Sequence, residues 1–344
     1  MQTGKTGVLL VNLGTPDDPN RGAVYRYLKE FLTDGRVIDY PWLPRNLLVR
    51  GIIAPFRSGS SAKLYKMLWT DEGSPLKYHG YIVKDKVQES LGDDYHVELA
   101  MRYQTPSIKD ALNNLRQANV YQIIVVPMFP QYASATTGSV HQKVMEIVSK
   151  WQSIPEISFA NSYPINDKII EAFTANAKQY DIKSYDHFVF SFHGIPQRQL
   201  KKACDNNHCL KVENCCHNLT PDNQFCYSAQ CHQTAFSIAD SLGLSKDQFT
   251  VCFQSRLGFE DWTKPYTSDV LEHLVEEEGK KRLLVFSPAF VADCLETTIE
   301  IGYEYKEEFD EMGGETLDLV ESLNSNDLWV ESIKEMVEKR RILA

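Results

Sequence analysis

The sequence lacks any apolar run approaching the roughly 18 residues of a membrane-spanning helix. It also lacks an excess of positive charge, since 36 Lys and Arg stand against 46 Asp and Glu, for a formal net charge of −10. A nucleic-acid partner, whose phosphates favour a basic surface, is therefore not expected. The first residues, MQTGKTGVLL, carry one lysine and only a short apolar run, too little for a secretory signal. We therefore expect a cytoplasmic protein whose thiols are reduced.

Six short runs are apolar on both faces, which is typical of parallel strands covered by helices on each side. They begin at Gly7, His96, Tyr121, His187, Phe249 and Arg282. Segments with helical spacing separate them, such as SIKDALNNLRQA, which starts at a serine suited to an N-cap. This alternation predicts an α/β fold built on a doubly wound parallel sheet.

A faint internal repeat runs through the sequence. VLLVNLGTP, from Val8, resembles FVFSFHGIP, from Phe188, and VVPMFPQYASATT resembles VFSPAFVADCLETT. Any two buried strands followed by a turn can look alike, but the repeat also fits two similar halves. We predict two Rossmann-like halves, 1–165 and 166–320, that close on a cleft. A C-terminal helix in 321–344, with an apolar stripe and a basic end, is expected to pack back across the body.

Ligands of open parallel sheets bind beyond the carboxyl ends of the strands. The polar and small residues found there are Asn12, Gly14, Thr15, Arg102, Tyr103, Tyr132, Ser134, Thr136, Thr137, Ser191, His193, Gln254, Ser255, Arg256, Asp293 and Glu296. Of these, His193 follows a buried run and precedes Gly194, so a sharp turn holds its ring. It is either a hydrogen-bonded core histidine or, with an unperturbed pKa near 6.5, a base or neutral metal ligand.

A row of carboxylates begins directly after the apolar run LLVFSPAF. Glu296, Glu300 and Glu304 are spaced four residues apart, so a helix would place them on one face. Such a row is usually a solvated surface. Its start beside a buried strand instead predicts partly buried carboxylates that pass metal cations or protons.

The segment 42–69, here called the lip segment, is basic in an otherwise acidic chain. Its apolar residues alternate with Arg45, Arg50, Arg57, Lys63 and Lys66. One interpretation is an amphipathic helix pair that covers the edge of the cleft. The other is a lip that grips a flat, apolar ligand with anionic tails and can also touch a membrane surface.

Six motifs, in order along nearly the whole chain, resemble those of ferrochelatase, the enzyme that inserts ferrous iron into a porphyrin during haem synthesis. They are LVNLGTP, MRYQTP, PQYASATTGS, SFHGIP, FQSRLGFEDWTKPYT and FSPAFVADCLETTIEIGYEY. The resemblance implies a chelatase-like fold of two Rossmann-like halves around a porphyrin cleft. It also implies Fe²⁺ and a porphyrin as substrates. Protoporphyrin IX is favoured because the motifs ADCLET and SRLGFEDW resemble those of family members that use it.

The resemblance assigns roles to individual residues. His193 and Glu296 take the catalytic, iron-binding positions, and Glu300 and Glu304 fall on the family's acidic helix. Positions that line the porphyrin cleft are occupied by Leu13, Arg102, Tyr103, Tyr132 and Ser134. Cys294 stands where several relatives have a histidine, so a second imidazole is not expected here.

Four of the eight cysteines, Cys204, Cys209, Cys215 and Cys216, lie within thirteen residues. They resemble the internal segment that holds a [2Fe–2S] cluster in some bacterial members of this family. By count, four thiolates suit this cluster or tetrahedral zinc equally well, although zinc sites more often show two C-x2-C pairs. Cys226 is a further candidate ligand, while His208 and His217 could also substitute as ligands. Cys231 is interpreted as structural, and unpaired surface thiols are the remaining alternative.

The sequence leaves two other function classes open. The chain could be a related chelatase for cobalt, coproporphyrin or another tetrapyrrole. It could instead be a non-catalytic Fe–S or haem-binding sensor on the same fold, although the presence of both His193 and Glu296 argues against this.

Overall fold

The computed structural model describes residues 4–204, 208–212, 214–256, 258 and 260–342. The chain forms two compact units. The N-terminal unit comprises Met1–Phe129, Ala133–Ser162 and Trp329–Ala344, and the C-terminal unit comprises Pro130–Tyr132 and Tyr163–Leu328.

The N-terminal unit is built on a parallel sheet whose described strands run in the order β2–β1–β3–β4. These strands are β1 (Thr6–Asn12), β2 (Tyr95–Met101), β3 (Gln122–Pro127) and β4 (Glu156–Phe159). The helices of this unit are α1 (Arg21–Leu32), α2 (Trp42–Leu48), α3 (Ala54–Leu68), α4 (Pro75–Leu91), α5 (Ile108–Gln117) and α6 (Ser139–Val148). Short π-helical turns, Val49–Ile53 and Ser134–Gly138, precede α3 and α6.

The C-terminal unit repeats this plan, with its described strands in the order β6–β5–β7–β8. They are β5 (His187–His193), β6 (Phe249–Gln254), β7 (Arg282–Phe286) and β8 (Thr316–Leu319). The helices are α7 (Asp167–Ala177), a 3₁₀ turn (Ile182–Ser184), α8 (Gln197–Lys202), α9 (Tyr227–Leu242), α10 (Thr267–Glu276), a π-helix (Leu295–Tyr305) and α11 (Lys306–Glu311).

The predicted fold class, two Rossmann-like halves with parallel sheets, is confirmed. Each of the six predicted runs forms a strand. The other two strands, β4 and β8, are short and lie at the sheet edges. Their side chains are only partly buried, so their sequences lack the continuous apolar run on which the prediction depended.

Helix α5 illustrates how the sequence produces these elements. The side chain of Ser107 accepts a hydrogen bond from the Asp110 N–H, which caps the helix as predicted. Ile108, Leu112 and Leu115 are spaced for one helix face and are buried in the core that also contains β1 and β3.

The same close approach of backbones follows the first strand of each half. Gly14 has φ +117°, and a Cβ there would lie 2.1 Å from the carbonyl oxygen of Tyr103. A Cβ on Gly194 would lie 2.9 Å from the carbonyl oxygen of Gln254. Neither turn has room for a side chain, which explains the glycine that both repeats share.

The last helix, α12 (Asp327–Glu338), buries Trp329, Ile333 and Val337. The residues after it belong to the N-terminal unit and contact the start of β3, since Gln122 Nε2 donates to the Arg340 carbonyl oxygen at 2.6 Å. None of the helices in the described part of the chain is long and apolar enough to cross a bilayer.

Candidate active site

His193 is the last residue of β5 and is half-buried. Its Nδ1 lies 2.6 Å from the carbonyl oxygen of Gly194. Because a carbonyl can only accept, we infer that Nδ1 carries the proton and that Nε2 keeps its lone pair. The rings of Trp262 and Phe290 flank the imidazole, each with its centroid 6.4 Å away. In the neutral ring, Nε2 is therefore the nitrogen that can accept a proton or bind a metal ion.

The three predicted carboxylates lie on the π-helix Leu295–Tyr305, and all three are half-buried. Spacing alone suggested a helix but not this type, which is rare and occurs frequently at functional sites. Cys294 caps the helix, because its backbone N–H donates to Thr297 Oγ1 at 2.9 Å. Burial raises the pKa of the Cys294 thiol well above its ordinary value, so this side chain stays a neutral cap.

Glu300 is held by two donors from the end of β6. Ser255 Oγ lies 2.6 Å from Glu300 Oε2, and Gln254 Nε2 lies 3.0 Å from the same oxygen. Gln254 Nε2 also donates to the carbonyl oxygen of Glu296 at 2.9 Å. The sequence indicates no role for either donor, although both belong to the polar residues that follow the predicted strands.

The electrostatics link the carboxylates to His193. Burial raises the pKa of Glu300, against the opposing effect of the two hydrogen bonds and of the His193 charge. The Glu296 carboxylate adds to the rise. Burial also raises the pKa of Glu304, with a smaller contribution from Glu308. His193, Glu296 and Glu300 thus form one interacting group, and Glu304 continues the row.

Four of the five predicted porphyrin contacts, namely Leu13, Arg102, Tyr103 and Ser134, lie in the N-terminal unit, and Tyr132 lies in the C-terminal unit. Leu13 is half-buried after β1, and its carbonyl oxygen accepts the backbone N–H of Tyr103. Ser134 Oγ accepts a hydrogen bond from Arg36 Nη1 at 3.0 Å. The Tyr132 ring packs edge-on against Phe225.

Arg102 and Tyr103 belong to a buried network centred on Asp34. Arg102 Nη2 and the Tyr103 hydroxyl lie 2.6 Å and 2.9 Å from Asp34 Oδ2, and Ser139 Oγ lies 2.5 Å from it. Burial alone would raise the Asp34 pKa, but the Ser139 hydrogen bond, the Arg36 backbone N–H and the Arg102 charge together lower it. No sequence pattern marked Asp34, whose three partners lie between 68 and 105 residues away.

We predict that Asp34→Asn lowers the free energy of unfolding at pH 7 by about 3 kcal/mol, because the buried Arg102 guanidinium loses its counter-charge. In the unmodified protein this contribution is present above the ordinary Asp pKa and disappears as the pH falls through the lowered one. Urea unfolding at several pH values measures both effects. The control is Asp85→Asn, at an exposed ion pair with Lys84. An unchanged urea midpoint for Asp34→Asn contradicts the prediction.

Five cysteines of the C-terminal unit lie near one another, with Cys226 at the centre. Cys226 is the N-cap residue of α9. Hydrogen bonds from the thiols of Cys209 and Cys216 lower its pKa to about 3, and the N–H groups of Ala229 and Ser228 add to this against the effect of burial. A thiolate at a helix N-terminus is the form that attracts metal ions. The sequence alone gives Cys226 only as a further candidate ligand.

The four cysteines between positions 204 and 216 lie close to one another, and Cys209 and Cys216 contact Cys226. Cys204 Sγ accepts the Cys209 N–H at 3.0 Å, and the sulfurs of Cys215 and Cys216 are 3.8 Å apart. Cys231 is fully buried, and burial raises the pKa of its thiol. Within the described residues, no group of three or more His, Cys, Asp or Glu side chains is placed to hold a metal ion.

Comparisons with known proteins agree with this arrangement. The family model for ferrochelatase matches residues 5–341. A ferrochelatase of Legionella pneumophila (strain Paris) is 42% identical over 336 residues, covering 98% of this chain and 99% of the relative. One from Coxiella burnetii (strain Dugway 5J108-111) is 43% identical over 340 residues, covering 97% of this chain and 94% of the relative.

The fold also resembles that of a solved chelatase. The structure of SirB from Bacillus subtilis with Fe³⁺ matches with a TM-score of 0.53 at 12% identity, over 97% of this chain and 95% of that chain. The sirohydrochlorin chelatase SirB from Bacillus subtilis subspecies spizizenii, in complex with cobalt, matches with a TM-score of 0.54 at 11% identity. At this identity the likeness concerns the fold alone, and it agrees with the predicted chelatase-like architecture.

Proposed function

The chain belongs to the ferrochelatase family, and from this premise we propose that it inserts ferrous iron into protoporphyrin IX to form protohaem. The observation that carries the proposal is the grouping of His193 with Glu296 and Glu300 in the C-terminal unit. His193 offers a nitrogen lone pair, and Glu296 and Glu300 offer half-buried carboxylates. Glu300 interacts electrostatically with both His193 and Glu296.

Iron insertion exchanges two pyrrole N–H protons for one Fe²⁺, so the site needs a base and a metal donor. His193 Nε2 is the base, because Nδ1 is committed to the Gly194 carbonyl. Glu296 and Glu300 supply carboxylate oxygens that replace the water shed by iron. Since burial raises the Glu300 pKa, this carboxyl releases and accepts protons at a higher pH than an exposed glutamate. Glu304 extends the row as a path for iron or protons.

The internal repeat supports assigning this chemistry to the C-terminal unit. Counted from the first residue of each π-helical segment, Glu296 corresponds to Ala135 and Glu300 to Ser139. The N-terminal half therefore has the same backbone framework without the carboxylates. Leu13, Arg102, Tyr103, Tyr132 and Ser134 stay proposed porphyrin contacts, on the basis of the sequence resemblance.

A metal and porphyrin panel tests the proposed activity. Anaerobic protein is mixed with protoporphyrin IX or coproporphyrin III and with Fe²⁺ or Co²⁺, and the Soret band is followed against a heat-denatured control. Haem formation that is fastest with protoporphyrin IX and Fe²⁺ supports the proposal. A preference for coproporphyrin or cobalt indicates a related chelatase. Haem binding without metal insertion by any combination indicates a sensor and overturns the proposal.

We propose that the cysteine segment holds a [2Fe–2S] cluster, with Cys204, Cys209, Cys215 and Cys216 as ligands and Cys226 able to replace one of them. The proposal is supported by five neighbouring sulfurs, although within the described residues they are not placed around one metal position, and by the lowered pKa of the Cys226 thiol. When bound, the cluster would cross-link this segment and could exchange one electron, which iron insertion does not require. Zinc held by the same thiolates is the alternative.

We predict that Cys226→Ser lowers the iron and sulfide content of anaerobically purified protein from about two atoms of each per chain to near zero. The loss follows because the thiolate contacted by Cys209 and Cys216 is removed. Elemental analysis and visible absorbance provide the measurement, with Cys231→Ala as a buried control outside the segment. Visible absorbance of the Cys226→Ser variant equal to that of the unmodified protein contradicts the prediction. One zinc per chain in the unmodified protein excludes the iron–sulfur cluster.

We also propose that the lip segment touches an anionic membrane surface, which would place a cytoplasmic protein peripherally at the inner membrane. Its large apolar side chains are exposed, including Trp42 at 67% and Phe56 at 79%, and its basic residues suit anionic lipids.

We predict that Phe56→Glu reduces binding to vesicles containing phosphatidylglycerol by about tenfold, through lost apolar burial and added repulsion. Flotation measures the bound fraction. The matched control is Met145→Glu on α6, where Met145 is 54% exposed outside the lip segment. Equal binding of both variants contradicts the membrane role.

A further inference from the structure

The end of β6 makes contacts with the carboxylate row that the sequence did not suggest. Gln254 and Ser255 are adjacent residues, and both direct hydrogen-bond donors at Glu300 Oε2. Gln254 also holds the carbonyl oxygen of Glu296. One dipeptide therefore fixes both the π-helix backbone and one carboxylate on it.

The two donors share a single acceptor atom. Across the part of the chain that the structure describes, both bonds end on Oε2, and no donor reaches Oε1 of Glu300. This arrangement fixes the orientation of the carboxyl plane while leaving one oxygen to contact a metal ion. His193, Glu296 and Tyr305 are the titratable groups that interact with this carboxylate.

Ser255 adopts a backbone conformation that serines rarely take. Its φ is +66°, in the left-handed region that glycine favours and that costs free energy for a residue with a Cβ. In this conformation its hydroxyl reaches Glu300 at 2.6 Å. Strained backbone of this kind is found where a side chain must be aimed at a functional group.

A buried chain of hydrogen bonds holds the Gln254 side chain in place. It is buried, and its Oε1 accepts a hydrogen bond from the buried Ser191 hydroxyl at 2.8 Å. Ser191 in turn lies 2.8 Å from the hydroxyl of Thr267, at the start of α10. The Gln254 amide can therefore turn its Nε2 only toward the π-helix, which makes it a fixed positioning group.

The N-terminal half shows what the same framework does without an open carboxylate. The residues after β2 that correspond to Gln254 and Ser255 are Arg102 and Tyr103, because Met101 and Phe253 make equivalent bonds, to the Pro106 and Pro265 carbonyl oxygens. Arg102 and Tyr103 reach Ser139 and Asp34 instead, and these groups satisfy one another. In the C-terminal half the dipeptide acts on a carboxylate that keeps one oxygen available.

We propose that Gln254 and Ser255 are positioning residues that hold Glu300 by Oε2 and present its Oε1 to the incoming ferrous ion. The inference rests on the proposed function and extends it, since it assigns the geometry of the iron path to two residues that do not themselves touch iron.

Steady-state kinetics of Ser255→Gly, Gln254→Met and Ser255→Asn test the proposal. Glycine removes the hydroxyl and relieves the left-handed backbone, so the melting temperature is not expected to fall. Each of the first two variants is expected to raise KM for Fe²⁺ about tenfold, the effect of one charge-assisted hydrogen bond, with KM for porphyrin changed less than twofold. Asparagine tolerates this backbone region and supplies a donor, so Ser255→Asn restores at least half of the loss.

A binding experiment separates this proposal from the proposed function. Mn²⁺ titration followed by EPR, with Glu300→Gln as the blank, reports carboxylate positioning without turnover. Weaker Mn²⁺ binding in Ser255→Gly supports the positioning role even if no haem forms. An active unmodified protein whose Ser255→Gly variant has normal KM for Fe²⁺ overturns the inference, as does an equal rise in KM for both substrates. Absence of haem formation by the unmodified protein overturns the proposed function instead.

Discussion

Replacing His193 with alanine is expected to lower kcat for iron insertion by about 10³-fold, within the 10² to 10⁴ range of a positioned general base. Its Nδ1 is bonded to the Gly194 carbonyl, so Nε2 is the only ring nitrogen that can take a pyrrole proton. The loss should fall on kcat rather than on KM for porphyrin, because the ring acts on the reacting protons and not on the periphery of the macrocycle.

The matched variants make the result specific. His193→Asn keeps a donor for the Gly194 carbonyl but has no basic nitrogen, so it should be as inactive as the alanine variant. His273→Ala changes an imidazole that is 53% exposed on α10 and should retain full activity. An anaerobic assay of porphyrin metallation measures all three proteins. His193→Asn activity within tenfold of the unmodified protein would contradict the role as base.

Glu296→Gln is expected to lower kcat by about 10²- to 10³-fold, the usual effect of removing one fixed charge from an active site. Glutamine keeps the size of the side chain, and the backbone carbonyl at position 296 still accepts the Gln254 amide. The π-helix should therefore persist while the oxygen ligand for iron loses its charge.

The size of the effect should decrease along the row. Glu300→Gln is expected to lower kcat by an intermediate factor. Glu304→Gln should lower kcat less than tenfold, because Glu304 lies four residues farther from Glu296 than Glu300 does. Glu308→Gln, on the neighbouring helix α11, is the control and should leave kcat unchanged. The same anaerobic assay orders the four variants. Equal effects of Glu296→Gln and Glu308→Gln would contradict a specific metal path.

The sequence pattern predicted most of the framework because the apolar runs are continuous. Strands buried on both faces produce such runs, and six of the eight described strands were visible in this way. The edge strands β4 and β8 were not, since only one face of an edge strand must be apolar. The carboxylate row was visible from its spacing, but that spacing fits α- and π-helices equally, so the helix type had to come from the structure.

The contacts that position the site were outside the reach of sequence patterns. Gln254 and Ser255 meet Glu300 only because the end of β6 lies beside the first half of the π-helix, although they are 46 and 45 residues away from Glu300 in the chain. The closeness of Cys226 to Cys209 and Cys216 was not visible in the sequence, because Cys226 lies ten residues beyond Cys216. Asn223 closes the intervening turn by donating to the Cys215 carbonyl oxygen at 2.8 Å. Short-range spacing does not reveal a turn of this kind.

Anomalous X-ray diffraction from crystals soaked anaerobically in ferrous iron would show directly where the protein binds its metal substrate. We expect an iron peak within bonding distance of His193 Nε2 or the carboxylates of Glu296 and Glu300, and this peak should vanish in Glu296→Gln crystals. Iron bound only elsewhere in the chain, with His193 and the π-helix carboxylates unliganded, would contradict the assignment of this site.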